Sequence, residues 1–135
     1  MRHEFTGFAP AKSPPRPTAA KGNSCSSADR LNREHNIQNE IRVGTADIAK
    51  LFRINVGSGK TYDGRHFDTG VPKGFSDLFG VRLSDGKAVF IEVKTETGRA
   101  SPEQINFIRK MQLCGALAGI ARSVEDARNI ILQED

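Results

Sequence analysis

The chain has 135 residues, a net charge of +4 and a pI near 9.3, which allows one domain with a real core. No apolar run is long enough to span a bilayer, and no signal-peptide hydrophobic region is present. Two isolated cysteines, Cys25 and Cys114, give no disulfide framework, so a reducing, cytoplasmic setting is expected.

Residues 1–29 are basic and proline-rich, with Pro10, Pro14, Pro15 and Pro17 and few large apolar side chains. That composition predicts disorder. The tail either adds non-specific contact with nucleic-acid phosphates or is merely tolerated. The positive balance of the whole chain suits a nucleic-acid partner without requiring one. Residues 30–135 read as the folded domain. A helix is predicted over 30–43, with Ile37 and Ile41 on its core face, and then a strand over 51–56. Residues 57–74 form a long Gly-rich loop holding Lys60, Arg65 and Lys73, and loops of that length are usually functional or mobile. Within it, Gly57-Ser58-Gly59-Lys60-Thr61 imitates the end of a P-loop. The full pattern needs glycine at position 54, which is Ile54, and Asp63-Gly64 reads as a turn where a helix should start. Nucleotide triphosphate binding is not expected.

Next comes a hairpin. Asp85-Gly86 lies between two apolar runs and is a preferred pair for a two-residue type I′ turn. Ser84 then pairs with Lys87, Phe79 falls opposite Glu92, and Asp77 falls opposite Lys94. In that register Asp77 and Glu92 are diagonal neighbours on one face, with Cβ atoms about 7 Å apart or less. A slip of one residue would put Asp77 on the other face. The second strand closes with Glu92-Val93-Lys94. Alternation places Glu92 and Lys94 on one side and Val89, Ile91 and Val93 on the other. Ser101, Pro102 and Gln104 then spell a capped helix start, with an S-x-x-Q capping box. The helix should bury Ile105, Ile108 and Met111 or Gln112. Residues 116–121 form a short buried strand, and Ser123 caps a last helix with Glu125 and Asp126 in its first turn.

Two acids and a lysine on one face can hold a hard divalent cation and steady an anionic transition state. Taken alone, Glu92 and Lys94 read as the solvated half of an alternating strand. Asp77 and the helix start just beyond, whose N-terminus favours anions, tilt the reading toward a site. Gln104 serves the cap alone or also reaches the site. Zinc is not expected, because the cysteines lack C-x-x-C spacing and His3, His35 and His66 form no ligand cluster.

Gly74-Phe75-Ser76-Asp77-Leu78, Phe90-Ile91-Glu92-Val93-Lys94 and Ser101-Pro102-Glu103-Gln104 with Phe107 resemble the virus-type replication-repair nuclease (VRR-NUC) domain of the PD-(D/E)XK nuclease superfamily. Glu34-His35-Asn36-Ile37-Gln38 and residues 51–57 resemble its first helix and first strand. The likeness runs from about residue 33 to the C-terminus. Ser76 departs from the proline of the superfamily name. The resemblance implies an α/β fold like that of restriction endonucleases: a mixed sheet flanked by helices, core order α-β-β-β-α-β-α. It also implies a magnesium-dependent DNA endonuclease, with manganese as substitute, acting on branched DNA such as Holliday junctions or flaps. Compact members of this kind resemble phage and bacterial junction nucleases that work as homodimers. Carried over, Asp77, Glu92 and the Val93 carbonyl would hold the metal, by one ion or two. Lys94 would orient or deprotonate the attacking water, or offset phosphate charge. Gln104 would aim at the water or the scissile phosphate. Glu34 would be the first-helix acid, with Glu40 as its rival. Lys60, Arg65, Lys73, Arg99 and Ser101 would meet the DNA. A non-catalytic nucleic-acid-binding module on the same fold is the alternative.

Overall fold

The computed structural model describes residues 26–134, so of the disorder expected over residues 1–29 the part up to residue 25 lies outside them, and residues 26–29 instead form the cap and first turn of a helix. The first helix, α1 (Ser27–Gly44), starts ahead of the position expected from the sequence. Ser26 is its N-cap. Its hydroxyl accepts from the Asp29 N–H at 3.2 Å, and the Asp29 carboxylate accepts from the Ser26 N–H at 3.2 Å. This reciprocal cap uses aspartate where the usual signature has glutamate or glutamine.

Strand β1 (Ala49–Arg53) follows, shorter at its far end than expected. The Gly-rich segment is not a plain loop. It folds into a small antiparallel ribbon of β2 (Ser58–Lys60) and β3 (His66–Asp68), separate from the main sheet. The P-loop look-alike runs straight into β2. Then come β4 (Leu78–Arg82), β5 (Ala88–Val93), α2 (Pro102–Leu113), β6 (Leu117–Ala121) and α3 (Val124–Ile131). Without the ribbon, this is the expected α-β-β-β-α-β-α order.

The main sheet has the order β1-β4-β5-β6. The first three strands are antiparallel, and β6 joins β5 in parallel by a crossover through α2. Strand β5 is therefore covered on both faces. Val89, Ile91 and Val93 pack with Leu78 under α1 and α3. Phe90 faces α2 with Phe75, Phe79, Phe107 and Ile108. The four phenylalanine rings sit 4.8 to 6.3 Å apart in edge-on and tilted pairs. This cluster rotates α2 away from the expected seating. Gln104, Phe107, Ile108 and Met111 turn inward, while Ile105 is 39% exposed and Gln112 is exposed too. Gln112 instead reaches round to donate to the Ala118 carbonyl at 2.8 Å.

The β4–β5 register also differs. Leu78 pairs with Ile91 and Val81 with Ala88, a shift of two residues from the expected pairing. The turn is longer than Asp85-Gly86 alone. Arg82 N–H donates to the Lys87 carbonyl at 2.9 Å, leaving residues 83–86 as the loop. A type I′ turn needs positive φ at both central residues, but only Gly86 has it, at 74°. Asp85 is held back by the Arg82 guanidinium, whose Nε and a terminal nitrogen bond its two carboxylate oxygens at 3.0 and 2.5 Å. A two-residue shift preserves the facing of every side chain. Asp77 thus lies one step beyond the Leu78–Ile91 pair, on the same side as Phe79, Phe90 and Glu92.

Candidate active site

The site lies where β4 and β5 end, against the first turn of α2. Alternation along β5 turns Glu92 toward α2, and Phe90 and the crossover bury it completely. Its Oε1 takes an ion pair from Lys94 Nζ at 2.7 Å and a hydrogen bond from Gln104 Nε2 at 2.5 Å. Its Oε2 is buried and has no partner. Asp77 is half-buried and accepts from the Val93 N–H at 2.9 Å.

Gln104 fills both roles offered by the sequence. Its amide oxygen accepts from the Ser101 N–H at 2.8 Å and closes the cap, while its amide nitrogen holds Glu92. Helix capping and site assembly are thus one interaction, because the side chain spans the gap between the helix start and β5.

Burial pushes the Glu92 carboxyl up to about 7, and the neighbouring Asp77 charge adds to that, against the pull of Lys94. For Lys94, burial pulls the ammonium down. The Glu92 hydrogen bond and the charges of Glu92, Asp77 and Glu34 outweigh that and leave its pKa above the ordinary value. A lysine that acts as general base needs a depressed pKa, whereas one that offsets phosphate charge needs no shift.

A cleft of about 350 Å³ opens over these groups, with Glu34, Gln38, Asp77, Lys94 and Gln104 in its walls. Glu34 is brought to the cleft, whereas Glu40 is exposed on α1. Gln38, four residues from Glu34, is buried with its Oε1 unpartnered. A larger groove, about 630 Å³, runs past Arg30, Arg33 and Thr97 on another side of α1. We place the site in the smaller cleft because Asp77 lines it together with Lys94 and Gln104, the two side chains that hold Glu92. Among the described residues no group of three or more His, Cys, Asp or Glu side chains gathers to hold a metal. Asp77 and Glu92 meet as a pair, and Glu34 lines the same cleft as Asp77. An unpartnered buried carboxylate oxygen beside a second carboxylate is a donor set that fits a hard cation such as magnesium.

The five residues expected to meet DNA stand outside the cleft lining. Lys60 and Arg65 are exposed on the β2–β3 ribbon, with Arg65 paired to Asp63 at 3.2 Å. Lys73 is exposed and close enough to interact with Glu103. Arg99 is exposed, and Ser101 is occupied by the cap, accepting from the Gln104 N–H at 3.3 Å. Reasoning from sequence missed Arg53, His35 and Asn55, which also line the cleft. The signal for Arg53 was present: it alternates in phase with Ala49 and Leu51, whose side chains are buried.

A mixed sheet with helices on both faces, carrying an acid at the end of one strand and Glu-x-Lys at the end of the next, defines a fold of the nuclease type. The VRR-NUC domain profile matches residues 29–125, and the chain belongs to that family. A solved structure titled "VRR_NUC domain" superimposes with a TM-score of 0.52 at 19% identity, covering 76% of this chain and 98% of that one. No curated protein matches the sequence. No helix among the described residues is long and apolar enough to cross a membrane.

Proposed function

We propose that this chain is a metal-dependent endonuclease that hydrolyses phosphodiester bonds in DNA, with branched DNA as its preferred substrate and a homodimer as its working form. The observation that carries the reading is the buried Glu92 carboxylate, with one oxygen free and the other held by Lys94 and Gln104, on the same face as Asp77. A buried carboxylate of this kind is costly in a metal-free fold, and a purely structural role gives no reason to keep it.

Asp77, Glu92 and the Val93 carbonyl would hold magnesium, or manganese in its place. The bound ion would polarise a phosphoryl oxygen and lower the pKa of a coordinated water. Lys94 holds Glu92 in place and sets a positive charge beside the phosphate. Gln104 fixes the Glu92 rotamer. Glu34, in the cleft wall, would accept a hydrogen bond from a water there. The N-terminus of α2 offers partial positive charge to a phosphate nearby.

The test is incubation of the purified protein with labelled four-way junctions, flaps and linear duplex, in magnesium, manganese or EDTA. We expect metal-dependent cutting that favours the branched substrates and is abolished in Asp77→Ala, which still binds. Binding by the wild type with no cutting in either metal would instead indicate a non-catalytic module. Light scattering that finds a monomer, while junctions are still cut symmetrically, would refute the dimer. Gln104→Ala is expected to keep the fold, because the Ser101 cap remains, and to weaken magnesium binding about tenfold. Titration calorimetry in parallel with thermal melts separates the two effects.

A further inference from the structure

The cleft contains a cation that the reading above does not use. Arg53 is the last residue of β1, where it pairs with Leu78. The next residue continues the ladder, Ile54 N–H donating to the Asp77 carbonyl at 2.8 Å. The backbone therefore fixes Arg53 one step from the Asp77 strand end. Its side chain turns toward α1, and its terminal nitrogen Nη2 lies 2.7 Å from His35 Nε2. A guanidinium can only donate, so His35 accepts at Nε2 and carries its hydrogen on Nδ1. Both residues line the cleft with Asp77 and Lys94. Lys94 is engaged by Glu92. Among the described residues no acid forms an ion pair with Arg53, which is exposed. Among the described residues its other guanidinium nitrogens have no hydrogen-bond partner, and the residue lines the cleft.

We propose that Arg53 is the phosphate clamp of this cleft, gripping a DNA backbone phosphate beside the Asp77–Glu92 pair, and that His35 is its positioning residue. This rests on the nuclease reading and adds a contact to it. The planar guanidinium fork matches two phosphate oxygens at once, which a lysine ammonium cannot do. One donor anchored on His35 removes much of the freedom that a long side chain would otherwise lose on binding. The contact is to backbone and carries no base preference.

The test measures binding to a labelled duplex and to a four-way junction across a salt series in the cleavage-silenced Asp77→Asn background. Cleavage by the same changes is then measured with Asp77 intact. Arg53→Ala should weaken binding about tenfold or more and reduce the slope of log affinity against log salt by about one, equally on both DNAs. Arg53→Lys should keep the slope and lose several-fold in affinity. His35→Ala should keep the slope and cost about threefold, with His35→Gln, which retains an acceptor, restoring most of it. Melting temperatures should stay near wild type for all four, since both residues reach into the open cleft. A wild type that cuts DNA while Arg53→Ala binds, cuts and responds to salt as it does overturns the clamp alone. A wild type that binds without cutting removes the nuclease reading and leaves the salt slope to decide the clamp. A wild type that neither binds nor cuts overturns both.

Discussion

Glu92→Gln is expected to abolish metal-dependent cleavage and, in EDTA at pH 8, to make the protein more stable than wild type. The carboxyl of Glu92 ordinarily titrates at 4.5 and in the fold is pushed up to about 7 by burial, then by the Asp77 charge. Between those two values the folded state keeps a proton that the unfolded chain releases. Stability of the metal-free protein therefore falls as pH climbs through that window, and the loss is complete above it. The difference corresponds to at most about 3 kcal/mol. Glutamine mimics the protonated acid and avoids the loss. The gap between Glu92→Gln and wild type should therefore be absent near pH 4 and full at pH 8. Magnesium should narrow or reverse it, because only wild type gains a ligand that binds the folded state. Thermal melts at both pH values, with EDTA and with magnesium, check each part. Identical melts at pH 8 in EDTA would mean that the carboxylate is not held out of water.

Gly74→Ala carries the second large effect. Gly74 has φ of +85°, and a Cβ there would sit 2.6 Å from the Glu103 carbonyl oxygen. The left-handed backbone alone costs an alanine about 1–2 kcal/mol. The clash is with main chain in the first turn of α2, so no side chain can swing aside, and the total should reach about 3 kcal/mol. Relief comes by moving that turn away, and Gln104 moves with it, loosening its hold on Glu92. Cleavage should fall even at temperatures where the variant is still folded. Gly64→Ala is the control: its φ is +82°, but nothing lies within 4 Å of an added Cβ, so it should show only the backbone cost and leave cleavage unchanged. Denaturant melts and initial rates on one junction substrate compare the two.

Much of the site could be read before any coordinates, because it depends on covalent periodicity and local capping. Alternation along a strand obliges Glu92 and Lys94 to share a face whatever the neighbours are. Ser101 and Gln104 form their cap within four residues. The hydrophobic pattern also suffices for the order of helices and strands. The β4–β5 register could not be read this way, because the Arg82–Asp85 ion pair competes with the turn that Asp85-Gly86 favours in isolation. Asp77 and Glu92 share a side in either register, because the two registers differ by an even number of residues.

Other properties required the tertiary structure. Glu92 loses its water only when α2 crosses over it, and that burial, with Asp77 beside it, moves its pKa. The raised pKa of Lys94 comes from Glu92, Asp77 and Glu34, drawn from β5, the approach to β4 and α1, against the opposing effect of burial. The Arg53–His35 contact joins residues 18 apart, and Gly74 meets the carbonyl of Glu103 from across the cleft wall. Local sequence sets which way a side chain points. Solvent exclusion, long-range charge and backbone-to-backbone fit depend on what the rest of the chain brings near, and those three decide what the pointed side chains can do.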